Sequence, residues 1–176
     1  LAFAGTVTEH TGTVTITDAP SVAQLKTINA ATTGAITLQT ANGALSGTSA
    51  DLVLAFAGTV TQHTGTVTIE NSDYTVNQLK TINNATDGAI NFDTPSSTLT
   101  GSSSDLAIAL AGTTNHTGAI TISNSNYTSS ELATINNGTS GAITLADPST
   151  ALSGTSTNLA LALAGTINHA GTVTIT

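Results

Sequence analysis

A period of about 53 residues runs through the whole chain, and fixed-period self-similarity is the signature of stacked, quasi-one-dimensional folds, in which each unit buries its apolar face only against its neighbours. Gly58, Gly112 and Gly165 follow Gly5 at that spacing, and His63, His116 and His169 follow His10, inside near-copies such as LAFAGTVTQHTGTVTI (54–69) and LALAGTINHAGTVTI (161–175). The period divides the sequence into repeats 1–53, 54–107, 108–160 and a partial 161–176. Both ends fall inside a repeat and neither carries a polar cap, so the expectation is one solenoid segment, 1–176, taken from a longer array.

The period divides again. Hydroxyl residues followed three positions later by an acidic or amide residue begin at Ser21, Thr48, Thr75, Ser102, Thr128 and Thr155, at half the repeat spacing. Such pairs are capping boxes or close variants, and six at constant spacing mark six helix starts. Asp51, Asp105 and Asn158 are short for the reciprocal half of the box. Between the helices lie alternating runs such as Thr66-Val67-Thr68-Ile69, Ala89-Ile90-Asn91-Phe92 and Ala119-Ile120-Thr121-Ile122, with equivalents at 13–17, 35–38, 142–145 and 172–175. β-branched residues at period two read as half-buried strands with threonine outward. One strand and one helix per half-repeat, joined by the right-handed crossover that parallel strands favour, predict an α/β fold. Its form is a right-handed β/α solenoid with a one-layer parallel sheet.

Alternate coils differ. In VNQLKTINN, Val76, Leu79 and Ile82 share a helical face, as do Val22, Leu25 and Ile28 in the first copy. The runs 52–57, 106–111 and 159–164, typified by LALALA, fit either a helix or a strand. A cap signal precedes them and alanine is the best helix former, which favours helix. Leu1, Leu54, Ile108 and Leu161 then fall on the outer side as a stripe suited to assembly, unless neighbouring helices bury it within the chain.

Composition narrows the partners. Two bases, Lys26 and Lys80, against ten acidic residues leave a net charge of −8. That balance excludes neutralisation of a phosphate backbone, hence nucleic acid, and disfavours anionic membranes. No apolar run is long enough for membrane insertion. Absence of cysteine removes disulfides and thiolate chemistry.

The four histidines are equivalent, and one full repeat of separation puts neighbours two coils apart, roughly 10 Å at strand spacing. That is too far to share a metal with bonds of about 2 Å, so a turn role is expected, with metal binding or pH sensing the alternative. Asn29, Asn83 and Asn136 follow the last inward isoleucine of their helices and are expected to form a structural ladder. They would do so by taking the left-handed helix-ending conformation and by bonding backbone groups of the next coil. No cofactor is called for, although Asp18, Asp73, Asp93 and Asp147 in loops after strands leave calcium open without matching a known calcium loop. The sequons at Asn84, Asn115, Asn126 and Asn137 matter only in a host that glycosylates them. Thr15, Thr37, Thr68, Thr121, Thr144 and Thr174 are expected to stack about 4.8 Å apart on a flat face interrupted by Asn91, a surface for ice or polysaccharide.

The strings YTVNQLKTINNATDGAI (74–90) and LTGSSSDLAIALAGT (99–113), with HTGTVTI and HTGAITI, resemble the long Thr-, Ala- and Gly-rich tandem repeats of giant bacterial cell-surface and secreted proteins, especially cyanobacterial ones. The resemblance implies an extracellular or cell-surface fibre, sheath, surface layer or adhesin stalk, and carries over no catalytic residue. The expected function is therefore structural and non-enzymatic, with self-association or neighbouring repeats as partners. The alternative is a ligand-binding adhesin array using the threonine face.

Overall fold

The computed structural model describes residues 9–58, 61–113, 115–165 and 167–176. Its helices are α1 (Val22–Ala30), α2 (Ser49–Phe56), α3 (Val76–Ala85), α4 (Ser103–Leu110), α5 (Ser129–Gly138) and α6 (Ser156–Ala162). Each starts at an expected cap. Ser21, Thr75 and Thr128 form complete capping boxes with Gln24, Gln78 and Glu131. Thr48, Ser102 and Thr155 accept the N3 amide alone, because the shorter Asp51, Asp105 and Asn158 do not reach back. The LALALA runs are thus helical. The fourth residue after every cap is leucine: Leu25, Leu52, Leu79, Leu106 and Leu132 are fully buried and Leu159 nearly so. Each such burial contributes roughly 2 kcal/mol.

The strands are β1 (Val14–Ile16), β2 (Ile36–Leu38), β3 (Leu45–Gly47), β4 (Val67–Ile69), β5 (Ile90–Phe92), β6 (Leu99–Gly101), β7 (Ile120–Ile122), β8 (Ile143–Leu145), β9 (Leu152–Gly154) and β10 (Val173–Ile175). All pairing among these strands is parallel. Repeated strand-helix units with parallel strands make a solenoid-like α/β arrangement, in which each helix packs on the next in chain order.

Two features depart from the sequence reading. β3, β6 and β9 carry Leu-Ser-Gly or Leu-Thr-Gly, too short and too poor in β-branched residues to be legible as strands. With them, alternate coils contribute two extended segments, not one. The described strands also divide into four small sheets, ordered β1-β2, β3-β4-β5, β6-β7-β8 and β10-β9. The reason lies in two competing periods. Val14 lies opposite Ile36, Leu45 opposite Val67 and Val67 opposite Ile90, whereas the helix caps run from Ser21 to Thr48 to Thr75. Paired strands are thus closer together in the chain than successive caps are. A strand column therefore runs out of register with the helix file and a new column begins.

Backbones come closest at a column of glycines. A Cβ on Gly88 would fall 1.8 Å from the Gly65 carbonyl oxygen, and one on Gly141 1.9 Å from that of Gly118. No side chain fits there. The glycine ending β9 has a different reason: a Cβ at Gly154 would meet the Ser129 hydroxyl at 2.5 Å.

Candidate functional site

The histidines sit where one coil meets the next. His63 is opposite Thr86 and His116 opposite Thr139, as isolated parallel bridges. The His63 Nε2 lies 2.7 Å from the Gly43 carbonyl oxygen and its Nδ1 3.1 Å from Thr86 Oγ1. For His116 the partners are the Ser97 carbonyl at 3.0 Å and Thr139 Oγ1 at 2.9 Å. A carbonyl only accepts, so Nε2 carries the proton; the one proton of the threonine hydroxyl lies between Nδ1 and the histidine's own carbonyl, 3.0 Å away for Thr86 and 3.3 Å for Thr139. That hydroxyl in turn accepts from Gly88 N–H at 2.9 Å or Gly141 N–H at 3.0 Å. Burial holds the His116 pKa below the ordinary imidazole range, and Phe92 and Tyr74 pack at its ring edge. His10 and His169 repeat parts of the pattern, facing Thr32 Oγ1 at 3.4 Å and the Thr150 carbonyl at 2.9 Å.

Asn29, Asn83 and Asn136 lie inside α1, α3 and α5, and no described non-glycine residue has a positive φ. The expected left-handed termination is therefore absent, because the helices run on past the asparagines. The amides of Asn29 and Asn136 reach across to the next helix: Asn29 Nδ2 donates to the Leu54 carbonyl at 2.8 Å and Asn136 Nδ2 to the Leu161 carbonyl at 2.9 Å. Both acceptors lie in the last turn, where carbonyls have no regular helical partner, and the Leu161 carbonyl also accepts from Ala164 N–H at 3.4 Å. Gly58, Gly112 and Gly165 make room for this. A Cβ at each would lie 2.2, 2.5 and 2.2 Å from the Oδ1 of Asn29, Asn83 and Asn136.

Further polar residues in the same role escaped the sequence reading. Asn71 Oδ1 accepts from Ser49 N–H and Asn124 Oδ1 from Ser103 N–H, both at 2.7 Å, so a loop caps the preceding coil's helix through space. Asn115 grips the backbone of Phe92 with Oδ1 and Nδ2, each at 2.9 Å, and Asn168 does so at Leu145. These side-chain amides extend the strand ladder where the main chain leaves it. Their signal was recurrence at the repeat period, visible in the sequence but uninformative about which backbone group they meet.

The threonine column is not continuous. Thr15 faces Thr37 in one small sheet, Thr68 lies between Ser46 and Asn91 in the next, Thr121 between Thr100 and Thr144 in the third, and Thr174 faces Ser153 in the fourth. The unforeseen strands β3, β6 and β9 supply Ser46, Thr100 and Ser153 and break the expected single row. Thr15, Thr144 and Thr174 are exposed, Thr37, Thr68 and Thr121 half-buried.

On the outer side of the helices, Leu54, Ile108 and Leu161 are 52 %, 39 % and 38 % exposed. Leu1 lies outside the described residues. Nearby, Lys26 bonds Asp51 and Lys80 bonds Asp105 between neighbouring helices, holding both carboxyls below their usual range. The third repeat has Ala133 and Asn158 in place of this pair. An open groove of about 420 Å³ runs between the start of α3 and β6, lined in part by Tyr74, Asn77, Thr100 and Asp105. Among the described residues no three His, Cys, Asp or Glu side chains could together hold a metal ion, and no helix is long and apolar enough to cross a membrane. No family model matches the chain, and no curated protein or solved structure matches it either.

Proposed function

We propose that the chain is a structural, non-catalytic repeat segment of an extracellular or cell-surface fibre, sheath, surface layer or adhesin stalk. The observation that carries this reading is where the recurrent polar groups are directed. The rings of His63 and His116 and the amides of Asn29, Asn71, Asn115 and Asn136 all bond backbone or side chains of adjoining coils. Residues held this way stiffen a stack. The resemblance of the Thr-, Ala- and Gly-rich strings to the repeats of giant bacterial surface proteins points the same way. In the same reading the coils wind right-handedly, the hand that parallel strand crossovers prefer, with the small sheets following one another in one layer.

Electron microscopy of the purified chain tests this: fibres or sheets with a power spectrum showing the strand spacing of about 4.8 Å are expected. Dispersed particles that bind ice or glycans would overturn it. That second reading, a ligand-binding adhesin array, is favoured by the aligned Thr100, Thr121 and Thr144. It predicts that Thr121→Tyr abolishes binding.

A further inference from the structure

An asparagine or aspartate precedes glycine at Asn42-Gly43, Asp87-Gly88 and Asn137-Gly138. In such a pair the backbone nitrogen of the second residue can attack the side-chain carbonyl carbon of the first, and glycine leaves the approach unhindered because it has no Cβ. The fold holds two of the three shut. Asn137 and Gly138 lie within α5, and Gly138 is buried so closely that a Cβ there would fall 2.5 Å from the Leu110 carbonyl oxygen. Gly88 is buried as well, with its N–H donated to Thr86 Oγ1 at 2.9 Å. Asn42, in contrast, is exposed in the turn ahead of β3, and a Cβ on Gly43 would meet only Ala19. In other loops Asn71, Asn115, Asn124 and Asn168 are all hydrogen-bonded through their side chains. Among the described residues no such bond engages the Asn42 side chain.

The same turn recurs in the other repeats with different residues. The carbonyls of Ala41, Pro95 and Pro148 accept from the N–H groups of Thr64, Thr117 and Ala170, each at 2.8 Å. Two residues on, the carbonyls of Gly43, Ser97 and Thr150 receive Nε2 of His63, His116 and His169. Where the first turn has Asn42-Gly43, the others have Ser96-Ser97 and Ser149-Thr150. Serine has no side-chain carbonyl to attack. One of three equivalent histidine seams is therefore built on a turn that can react with itself, and the other two are not.

We propose that Asn42 is a self-modification site, converted by water without an enzyme to aspartate and isoaspartate, and that the isoaspartyl form loosens the His63 seam. The Gly43 nitrogen gives its proton to hydroxide and bonds to Asn42 Cγ; the Cγ–Nδ2 bond breaks, and Nδ2 takes up a proton and leaves as ammonia. Water then opens the resulting five-membered imide. Opening at Cγ leaves aspartate in an ordinary chain, whereas opening at the main-chain carbonyl leaves isoaspartate, with the backbone routed through Cβ and Cγ. That route is longer by one atom. It has no slack to enter, because the Asn42 and Gly43 carbonyls pack on Gly65, where a Cβ would lie 2.6 and 2.5 Å from them. The Gly43 carbonyl is thereby drawn off His63 Nε2, its partner at 2.7 Å. Either product adds a negative charge to a chain already at −8.

Incubating the folded chain at pH 8, with peptide mapping by mass spectrometry and isoaspartate-specific methylation, tests the assignment. Asn42 should gain one mass unit and become methylatable at least tenfold faster than Asn137. No reaction at Asn42, or equal rates in the folded chain, would overturn it. In urea the two rates should converge as α5 unfolds, and a difference that persisted there would refute the part given to the fold. Asn42→Ser, which copies the other two turns, should abolish the methylation and keep the circular dichroism spectrum; undiminished methylation would place the site elsewhere and sink the proposal. Ion exchange then separates the isoaspartyl form for hydrogen exchange. Its Asp87 amide, which donates to the His63 carbonyl at 2.8 Å, should exchange roughly tenfold faster than in the unmodified chain, as for the loss of one hydrogen bond. The Ser140 amide, bonded to the His116 carbonyl, should not change. Equal exchange at Asp87 would refute the coupling to the seam. None of these readouts depends on fibre formation.

Discussion

Replacing His116 by glutamine tests whether this ring works as a neutral, doubly bonded strut between coils. The ring is 1 % exposed, with Nε2 on the Ser97 carbonyl and Nδ1 at Thr139 Oγ1. Glutamine can keep one of these contacts but not both, and leaving a buried polar partner unsatisfied costs roughly 1–3 kcal/mol. At about 1.4 kcal/mol per tenfold, the Ser140 amide, which donates to the His116 carbonyl at 3.0 Å, should exchange roughly tenfold to a hundredfold faster above pH 7. The pH dependence is the sharper readout. Burial lowers the His116 pKa in the folded chain, so below about 6.5 the unfolded chain takes up a proton that the folded one refuses. Stability from this residue is complete above that value. It falls as the pH drops towards the folded-state pKa, at no more than about 1.4 kcal/mol per pH unit for one proton. Hydrogen exchange or urea unfolding from pH 8 to 5 should therefore show the unchanged chain and the variant converging as the pH falls. Parallel curves would refute the account of a neutral buried ring.

Other substitutions probe the remaining seams. Gly88→Ala should strongly weaken the stack, because its Cβ would overlap the Gly65 carbonyl at 1.8 Å, whereas Gly101→Ala meets Leu106 at an ordinary 3.5 Å and should be mild; equal unfolding midpoints would contradict the close approach. Asn136→Ala removes the donor to the Leu161 carbonyl at 2.9 Å and should cost about 1 kcal/mol in urea unfolding, with no loss expected if water replaces the amide fully. Thr128→Ala breaks a complete capping box and should destabilise by about 1 kcal/mol, more than Thr155→Ala, where only the N3 amide is capped; the reverse order, by circular dichroism, would discredit the box.

The helices were legible because their signals are local. A hydroxyl and an N3 partner three residues on, then leucine at the fourth position, define where a helix starts and which face it buries, with no knowledge of the neighbours. The same holds for the Val-Thr-Ile and Ile-Thr-Leu strands, where alternation reports the buried side. Leu-Ser-Gly carries no such alternation. It becomes a strand because Val67 and Val173 lie beside it in β3 and β9, as Ile120 lies beside Leu-Thr-Gly in β6, and the glycine ending β9 leaves room for Ser129 in the first turn of α5. The asparagine ladder was visible as recurrence, yet its acceptor, the last-turn carbonyls of the following helix, is a property of packing.

By itself, the sequence determined the repeat, its six helix starts, the inward leucines and the parallel strand-helix alternation, since each follows from spacing along a single stretch of chain. Only the tertiary structure decided how those units stack. The shorter strand step, as from Val67 to Ile90, competes with the longer helix step, as from Thr75 to Ser102, and the register in which both are satisfied divides the sheet. That register breaks the threonine row and brings His116 against Ser97 and Thr139. A local pattern selects which face of a segment is buried, but which neighbour it is buried against depends on geometry summed over a whole coil.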